Sequence, residues 1–266
     1  MKLESIAKYM IMPTTFIELK KVLKVINKYN INFNIIGNGS NILFSPKEKE
    51  CIIKLSFNKN KHNNILLANE LLPIVANEFY NNCYSGLETL SMIPGSIGGA
   101  IVMNASAYGT SIGDIIEYVY YLDENLFFKV ISKEECNFKY RDSVFKNNKY
   151  IVLGCKVKLK VNNKEEIKDK MNYINNKRNS TQPLKYPNSG SIFKNPNGYK
   201  TWELIEYVNL KGYKKNDAMI SDIHSNFIIN LGDAKFKDII YLIELIKRKV
   251  EEDFYIRLQE EIIAID

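Results

Sequence analysis

Long apolar runs are missing from this sequence. No stretch of its 266 residues approaches the roughly 20 apolar residues that a membrane-spanning helix needs, so no membrane insertion is expected. The first residues, Met1 to Met12, are broken by Lys2, Glu4 and Lys8 and lack the uninterrupted apolar region of a secretory signal. The chain is therefore expected to stay in the cytoplasm. Metal-binding side chains are scarce too. The only imidazoles are His62 and His224, and the four cysteines, Cys51, Cys83, Cys136 and Cys155, form no CxxC pair. No metal site is expected, and the thiols read as reduced and buried, as a reducing compartment keeps them.

Lysine, asparagine and isoleucine are plentiful instead. The 37 basic and 30 acidic residues give a net charge of +7, which raises the question of nucleic acid. The lysines are scattered, however, and the one dense basic cluster, Lys247 to Lys249, falls on a helical pattern. No nucleic-acid partner is expected; anionic small molecules suit this charge better. A hydrophobic fraction of 45% with 25% charged residues marks a soluble globular protein. The length allows one large domain or two to three small ones.

Periodicity supplies the elements. Phe16, Leu19, Leu23 and Ile26 recur at helical spacing behind Thr14 and Thr15, which can cap. Leu72, Val75, Ala76 and Phe79 define a second helix with Pro73 in its first turn. Strand candidates are "INFNII", "ILF", "CIIKLS" and "YIVLGCKVKLKV", with a hairpin from "IIEYVYYL" through "DEN" to "LFFKVI". Ser132 to Glu135 reads as a capping box opening a short helix. Later come helices on Ile167, Met171 and Ile174 and on Phe236 to Val250, then a strand-like ending, "YIRLQEEIIAID". Strands first and helices later give an α+β class.

Four of the 13 glycines sit in "IPGSIGGAIVMNASAYG", Ile93 to Gly109, a small and neutral stretch. Glycine is used where backbone turns at positive φ or where something must approach it closely. A second motif, "GNGSN" at Gly37 to Asn41, follows a strand but lacks a third glycine and runs into Pro46, not a helix. That argues against a Rossmann turn and leaves two readings, a plain Asn-Gly β-turn or a nest of N–H groups for phosphate. "KYRDSVFK", "YPNSGSIFKNP" and "SDIHSNFIIN" are polar segments that a core has no use for.

In this order and spacing these segments, with "QPLKYPNSGSIFKNP" and the ending "LQEEI", resemble the UDP-N-acetylenolpyruvoylglucosamine reductases (MurB type) over nearly the whole chain. Lacking a tyrosine-bearing insertion around Asn197 to Glu203, the chain is similar to the shorter family type. The resemblance implies a two-subdomain FAD-binding fold of the vanillyl-alcohol-oxidase/MurB-like kind, plus a C-terminal α+β substrate-binding subdomain. Residues 1–56 and 57–162 would hold the flavin, 163–254 the substrate, and 255–266 would return to the active site.

It also implies the chemistry. NADPH would reduce non-covalent FAD, and hydride would then pass to the vinyl carbon of a UDP-sugar enolpyruvyl ether. Cofactor contacts would come from Gly37, Asn38, Gly39, Ser40 and Asn41, and from Pro94, Gly95, Ser96, Gly98, Gly99 and Asn104. The N–H groups ahead of the "GGAIVMN" segment would meet phosphate charge. Ser191 would donate the proton, with Arg141 and Glu261 beside the substrate carboxylate. Tyr140, Arg178, Gln182, Lys194 and Asn195 fall on substrate-binding positions. A monomer is expected. The chain departs from the family pattern at Glu4, Ser5, Asn69, Leu71, Ser106 and the pair Asn216-Asp217, all usual glycine positions, and at Ile263, where arginine is common. Asn69, Asn216 and Asp217 are residues that tolerate positive φ. The departures frame the alternative, a flavin- or ligand-binding homologue without reductase activity.

Overall fold

The computed structural model describes residues 1–59 and 64–265; His62 and Asp266 lie outside the described residues. The chain forms two compact units. One comprises Ala7–Gly39 and Lys49–Asn176, the other Met1–Ile6, Ser40–Glu48 and Lys177–Asp266. The first 56 residues are thus shared between units, and "GNGSN" is cut between Gly39 and Ser40.

In the first unit, Ala7–Ile11, Lys49–Lys54 and Phe33–Ile36 form a parallel sheet in that order. Parallel pairing needs a crossover, and helix α1, Phe16–Lys28, provides it. Thr15 caps α1, its Oγ1 accepting from Glu18 N–H at 3.2 Å. Leu19, Leu23 and Ile26 are buried as their spacing predicts. A second, antiparallel sheet runs Phe128–Ser132, Ile116–Leu122, Ile151–Val157, Ile65–Leu67. Its hairpin turns on Asp123, whose Oδ1 accepts from the N–H groups of Asn125 and Phe127. Helix α2, Leu72–Asn81, buries Leu72, Val75, Ala76 and Phe79. The seven-residue helix α3, Ile97–Met103, lies within the core with Ile97 and Ile101 fully buried. Helix α4, Lys164–Thr181, runs through the division at Asn176; it buries Ile167 and Ile174.

In the second unit an antiparallel sheet is ordered Asn188–Ser191, Phe227–Asn230, Ala218–Ile220, Lys214–Lys215. Helices α5, Thr201–Tyr207, and α6, Phe236–Phe254, share its core through Ile205, Ile239, Ile243 and Ile246. Ile263–Ile265 pairs in parallel with Ile42–Phe44.

Three local expectations fail for identifiable reasons. The Ser132 capping box forms, with Ser132 N–H donating to Glu135 Oε2 at 2.7 Å and Glu135 N–H to Ser132 Oγ at 3.4 Å. It closes only a turn, because Asn137 at φ +47 sends the chain off in the left-handed region. The C-terminal strand is confined to Ile263–Ile265, since Tyr255 at φ +58 ends α6 and the next residues mostly lack a ladder partner. Of the three residues expected to tolerate positive φ, only Asn216 uses it, at +50; Asn69 and Asp217 have ordinary backbone.

Candidate active site

The first unit brings the two glycine motifs together. Asn38 Nδ2 donates to Pro94 O at 2.7 Å. A Cβ on Gly37 would overlap Ser96 Oγ, so the segments touch backbone to side chain. Gly39 sits at φ +70 with nothing within 4 Å of the place its Cβ would take, so it faces open space. Gly98 is different. Its Cβ would lie 2.9 Å from Ala68 Cβ and 3.1 Å from Ala68 O, so packing against Ala68 by itself requires glycine here.

The amides that open α3 already have partners. Ile97 N–H donates to Glu70 O at 2.8 Å, Gly98 N–H to Ala68 O at 2.9 Å and Gly99 N–H to Ser96 Oγ at 3.3 Å. These amides are committed inside the protein and do not await a phosphate. Asn104 is likewise 7% exposed, with Nδ2 on Lys139 O at 2.9 Å and Oδ1 accepting from Gly113 N–H at 3.2 Å. Its amide positions the Lys139–Asp142 turn instead of reaching outward. The N–H groups of Asn38, Gly39, Gly95 and Ser96, by contrast, make no hydrogen bond within the described residues. Unpaired amides along two touching glycine loops are donors suited to a diphosphate, and here the residues fit FAD.

In the turn that Asn104 holds, Lys139 and Asp142 exchange backbone bonds at 3.1 and 3.2 Å. Arg141 occupies it at φ +55, with its guanidinium carbon 5.5 Å from the centre of the exposed Tyr140 ring. Arg141 Nη1 donates to Ser106 O at 3.1 Å and to Ser106 Oγ at 2.6 Å. Motif spacing did not reveal this partner. Its only trace in the sequence was a hydroxyl at a usual glycine position.

The second unit gathers a polar set around Asn188–Ser191. Gly190 at φ +76 lies in an irregular stretch of the pairing with Phe227–Asn230, and its N–H donates to Asn188 Oδ1 at 3.0 Å. Ser191 follows it, half-buried, and its hydroxyl makes no hydrogen bond within the described residues. Asn226 fixes what comes next, its side chain accepting from Phe193 N–H at 3.0 Å and donating to Phe193 O at 2.9 Å. On the other edge Glu261 N–H donates to Ile192 O at 2.7 Å, and Lys194 N–H to Gln259 O at 2.9 Å. Asn41 Nδ2 holds Glu261 O at 3.0 Å. Ser191, Lys194, Glu261 and Asn41 thus belong to one arrangement of adjoining segments. Ser40 lies half-buried beside Asn41 in sequence, with no side-chain bond within the described residues.

The other expected substrate residues differ in their commitments. Asn195 is exposed and its Oδ1 accepts from Thr201 N–H at 3.0 Å, capping the start of α5. Arg178 and Gln182 lie at the end of α4 and just after it, joined by Gln182 N–H to Arg178 O at 2.9 Å. The Gln182 Oε1 atom is buried without a partner within the described residues. His224 packs between Trp202 and Phe227, ring centres 6.5 and 4.8 Å away, and burial lowers its pKa. No group of histidine, cysteine and carboxylate side chains that could hold a metal occurs among the described residues.

The paired glycine loops and the separate C-terminal unit define a flavoprotein with an added domain. Residues 7–125 match the family model described as FAD binding domain, and residues 182–265 match that of the UDP-N-acetylenolpyruvoylglucosamine reductase C-terminal domain. The UDP-N-acetylenolpyruvoylglucosamine reductase of Caldanaerobacter subterraneus subsp. tengcongensis is 42% identical over 250 residues, 92% of this chain and 83% of that protein. Its namesake from Carboxydothermus hydrogenoformans is 38% identical over 96% of this chain and 87% of its own length. The crystal structure of the Thermus caldophilus enzyme superposes with a TM-score of 0.85 at 34% identity, covering 97% of this chain and 92% of that one. The chain belongs to the UDP-N-acetylenolpyruvoylglucosamine reductase family.

Proposed function

We propose that Ser191, Arg141 and Glu261 carry the chemistry of the FAD-containing, NADPH-dependent reductase that membership of the family makes this chain. The reaction converts UDP-N-acetylglucosamine enolpyruvate to UDP-N-acetylmuramate, a step of peptidoglycan precursor synthesis. Bound FAD supplies the hydride chemistry, from NADPH to the vinyl carbon, and the protein supplies orientation, charge and one proton. Residues 1–56 and 57–162 serve the flavin, 163–254 the substrate, and 255–266 brings Glu261 to the site.

The observation that carries the assignment is the Ser191 hydroxyl. A serine that merely capped its turn would spend Oγ on a nearby backbone group, and this one spends it on none within the described residues. It is held on an irregular strand end whose neighbours, Ile192 and Phe193, are bonded on both sides. A serine is a poor acid, so it gives up a proton only to carbon on which negative charge is developing. Arg141 faces the substrate carboxylate, since its planar fork matches a carboxylate. Glu261 supports the same charge in its protonated form or through a bridging donor. Lys194, whose ammonium has no ion pair within the described residues, binds the anionic substrate with Tyr140, Arg178, Gln182 and Asn195. Asn38, Gly39, Gly95 and Ser96 hold the FAD pyrophosphate, with Gly37, Ser40, Asn41, Pro94, Gly98 and Gly99 shaping the same loops.

Four unpaired cysteines suit a reducing compartment, and no helix among the described residues is long and apolar enough to cross a membrane. We read the protein as a cytoplasmic monomer that acts in cell-wall biogenesis, and through the wall in cell shape and division. Stopped-flow measurement of the two half-reactions tests the site. Losing a positioned general acid costs about 10²- to 10⁴-fold in the step that needs it. Ser191→Ala should reduce its flavin with NADPH normally and stall on reoxidation by the enolpyruvyl substrate, and Ser191→Cys should recover part of the rate. An alanine variant that reoxidises at wild-type speed assigns the proton to another group.

A further inference from the structure

We propose that Ser106 is a positioning residue for Arg141 and that its hydroxyl fixes the guanidinium in the orientation the reaction uses. The inference rests on the reading of Arg141 as the group that faces the substrate carboxylate. Its geometry lies wholly within the first unit, on two tight turns. In one, the hairpin of Ser106–Ala107 with Thr110–Ser111, both connecting residues have positive φ, Tyr108 at +50 and Gly109 at +82, as a type I′ turn requires. In the other, Lys139 and Asp142 exchange backbone bonds across Tyr140 and Arg141. What passes between the two turns is one defined contact.

That contact is Arg141 Nη1 with two acceptors from one residue, Ser106 O at 3.1 Å and Ser106 Oγ at 2.6 Å. A single acceptor would let the guanidinium swing about the bond. Two acceptors on one nitrogen set its plane, and with it the direction of the Nη2 and Nε edge. Bonds from a charged donor are also the stronger kind. A glycine at this position could offer only the carbonyl. Ser106 is absent from the positive-φ residues, so its side chain costs no backbone strain. The hydroxyl that departs from the glycine usual at this position in the family is therefore a second fastener for Arg141.

Charge stabilisation depends on a fixed donor, because misplacement by about 1 Å can cost on the order of 10²-fold in rate. Ser106→Ala keeps the carbonyl and removes the hydroxyl. It should slow substrate-driven flavin reoxidation by roughly 10- to 100-fold, chiefly in kcat, with KM for the enolpyruvyl substrate changed far less. Ser106→Thr, which keeps the hydroxyl, should restore most of the rate. A readout free of turnover comes from ¹⁵N NMR of the guanidinium groups, of which the chain has only those of Arg141, Arg178, Arg248 and Arg257. The Arg141 signal, identified by its loss in Arg141→Lys, should show slow Nη exchange in the wild type and fast exchange in Ser106→Ala. Unchanged exchange in Ser106→Ala overturns the inference. So does faster exchange with wild-type reoxidation, provided Arg141→Ala is itself slow. If Arg141→Ala reoxidises normally while Ser106→Ala still loosens the guanidinium, the role given to Arg141 falls and the fastening by Ser106 stands.

Discussion

At the scale of single residues, composition and environment pull in different directions, and His224 is the clearest case. It is one of only two histidines in the chain and stands in a polar segment. Its ring is instead wedged between Trp202 and Phe227, and Nδ1 is buried with no partner within the described residues. Burial disfavours the imidazolium and lowers the pKa below its usual 6.5. Below that pH the unfolded chain binds a proton that the folded chain refuses, so stability falls as pH drops from 6.5 toward the lowered value. His224→Phe keeps an aromatic ring in place and removes the titration. Thermal melts of the variant should show a flatter pH dependence just below pH 6.5 than the wild type, with no gain in stability lost at higher pH. Equal slopes in both proteins would assign the acid sensitivity to other groups.

At the scale of elements, the local rules held along the amphipathic helices. The Thr15 cap and the stripe of Leu19, Leu23 and Ile26 could be read in the sequence, because both depend on spacing along one helix. The stretch from Ile93 to Gly109 was legible as special but not in detail. A run of small residues says that something approaches closely, and two candidates, a ligand or another strand, leave the same sequence mark. Gly98 serves the strand side. Its amide bonds Ala68 O at 2.9 Å and its missing Cβ makes room for Ala68. Gly98→Val should push α3 off that neighbour and cost about 1–3 kcal/mol by overpacking. Because Gly95 and Ser96 lead directly into α3, flavin should be lost with it. Melting temperature and the absorbance of bound flavin, measured together, test this. A stable variant that has lost FAD would mean that Gly98 faces the ligand after all.

At the scale of the whole molecule, the ligand enters the folding equilibrium. The two glycine loops contain neither histidine nor cysteine, so FAD has no side chain there to tether it covalently. Purified protein should carry about one equivalent of FAD that is released into the supernatant on denaturation. A ligand that binds only the folded state at about 100 times its Kd adds roughly 2.7 kcal/mol of stability. The melting temperature should therefore rise with added FAD, and protein that stays colourless in excess FAD, with an unmoved melt, would favour the homologue without reductase activity.

The sequence by itself determined helices α1, α2, α4 and α6, the α+β class, the family and the motifs in which Ser191, Arg141 and Glu261 stand, because amphipathic period, caps and ordered motifs are properties of neighbouring residues. Tertiary structure alone decided how those positions are used. Whether an amide is spent or open depends on which strand lies against it, as Gly98 and Gly95 show three residues apart. Asn226 holds Phe193 from 33 residues away, and Ser106 holds Arg141 from 35. Such partners leave no period to read. A hydrogen bond between distant residues exists only once both have been packed into place, so its geometry belongs to the fold and not to any one segment of the chain.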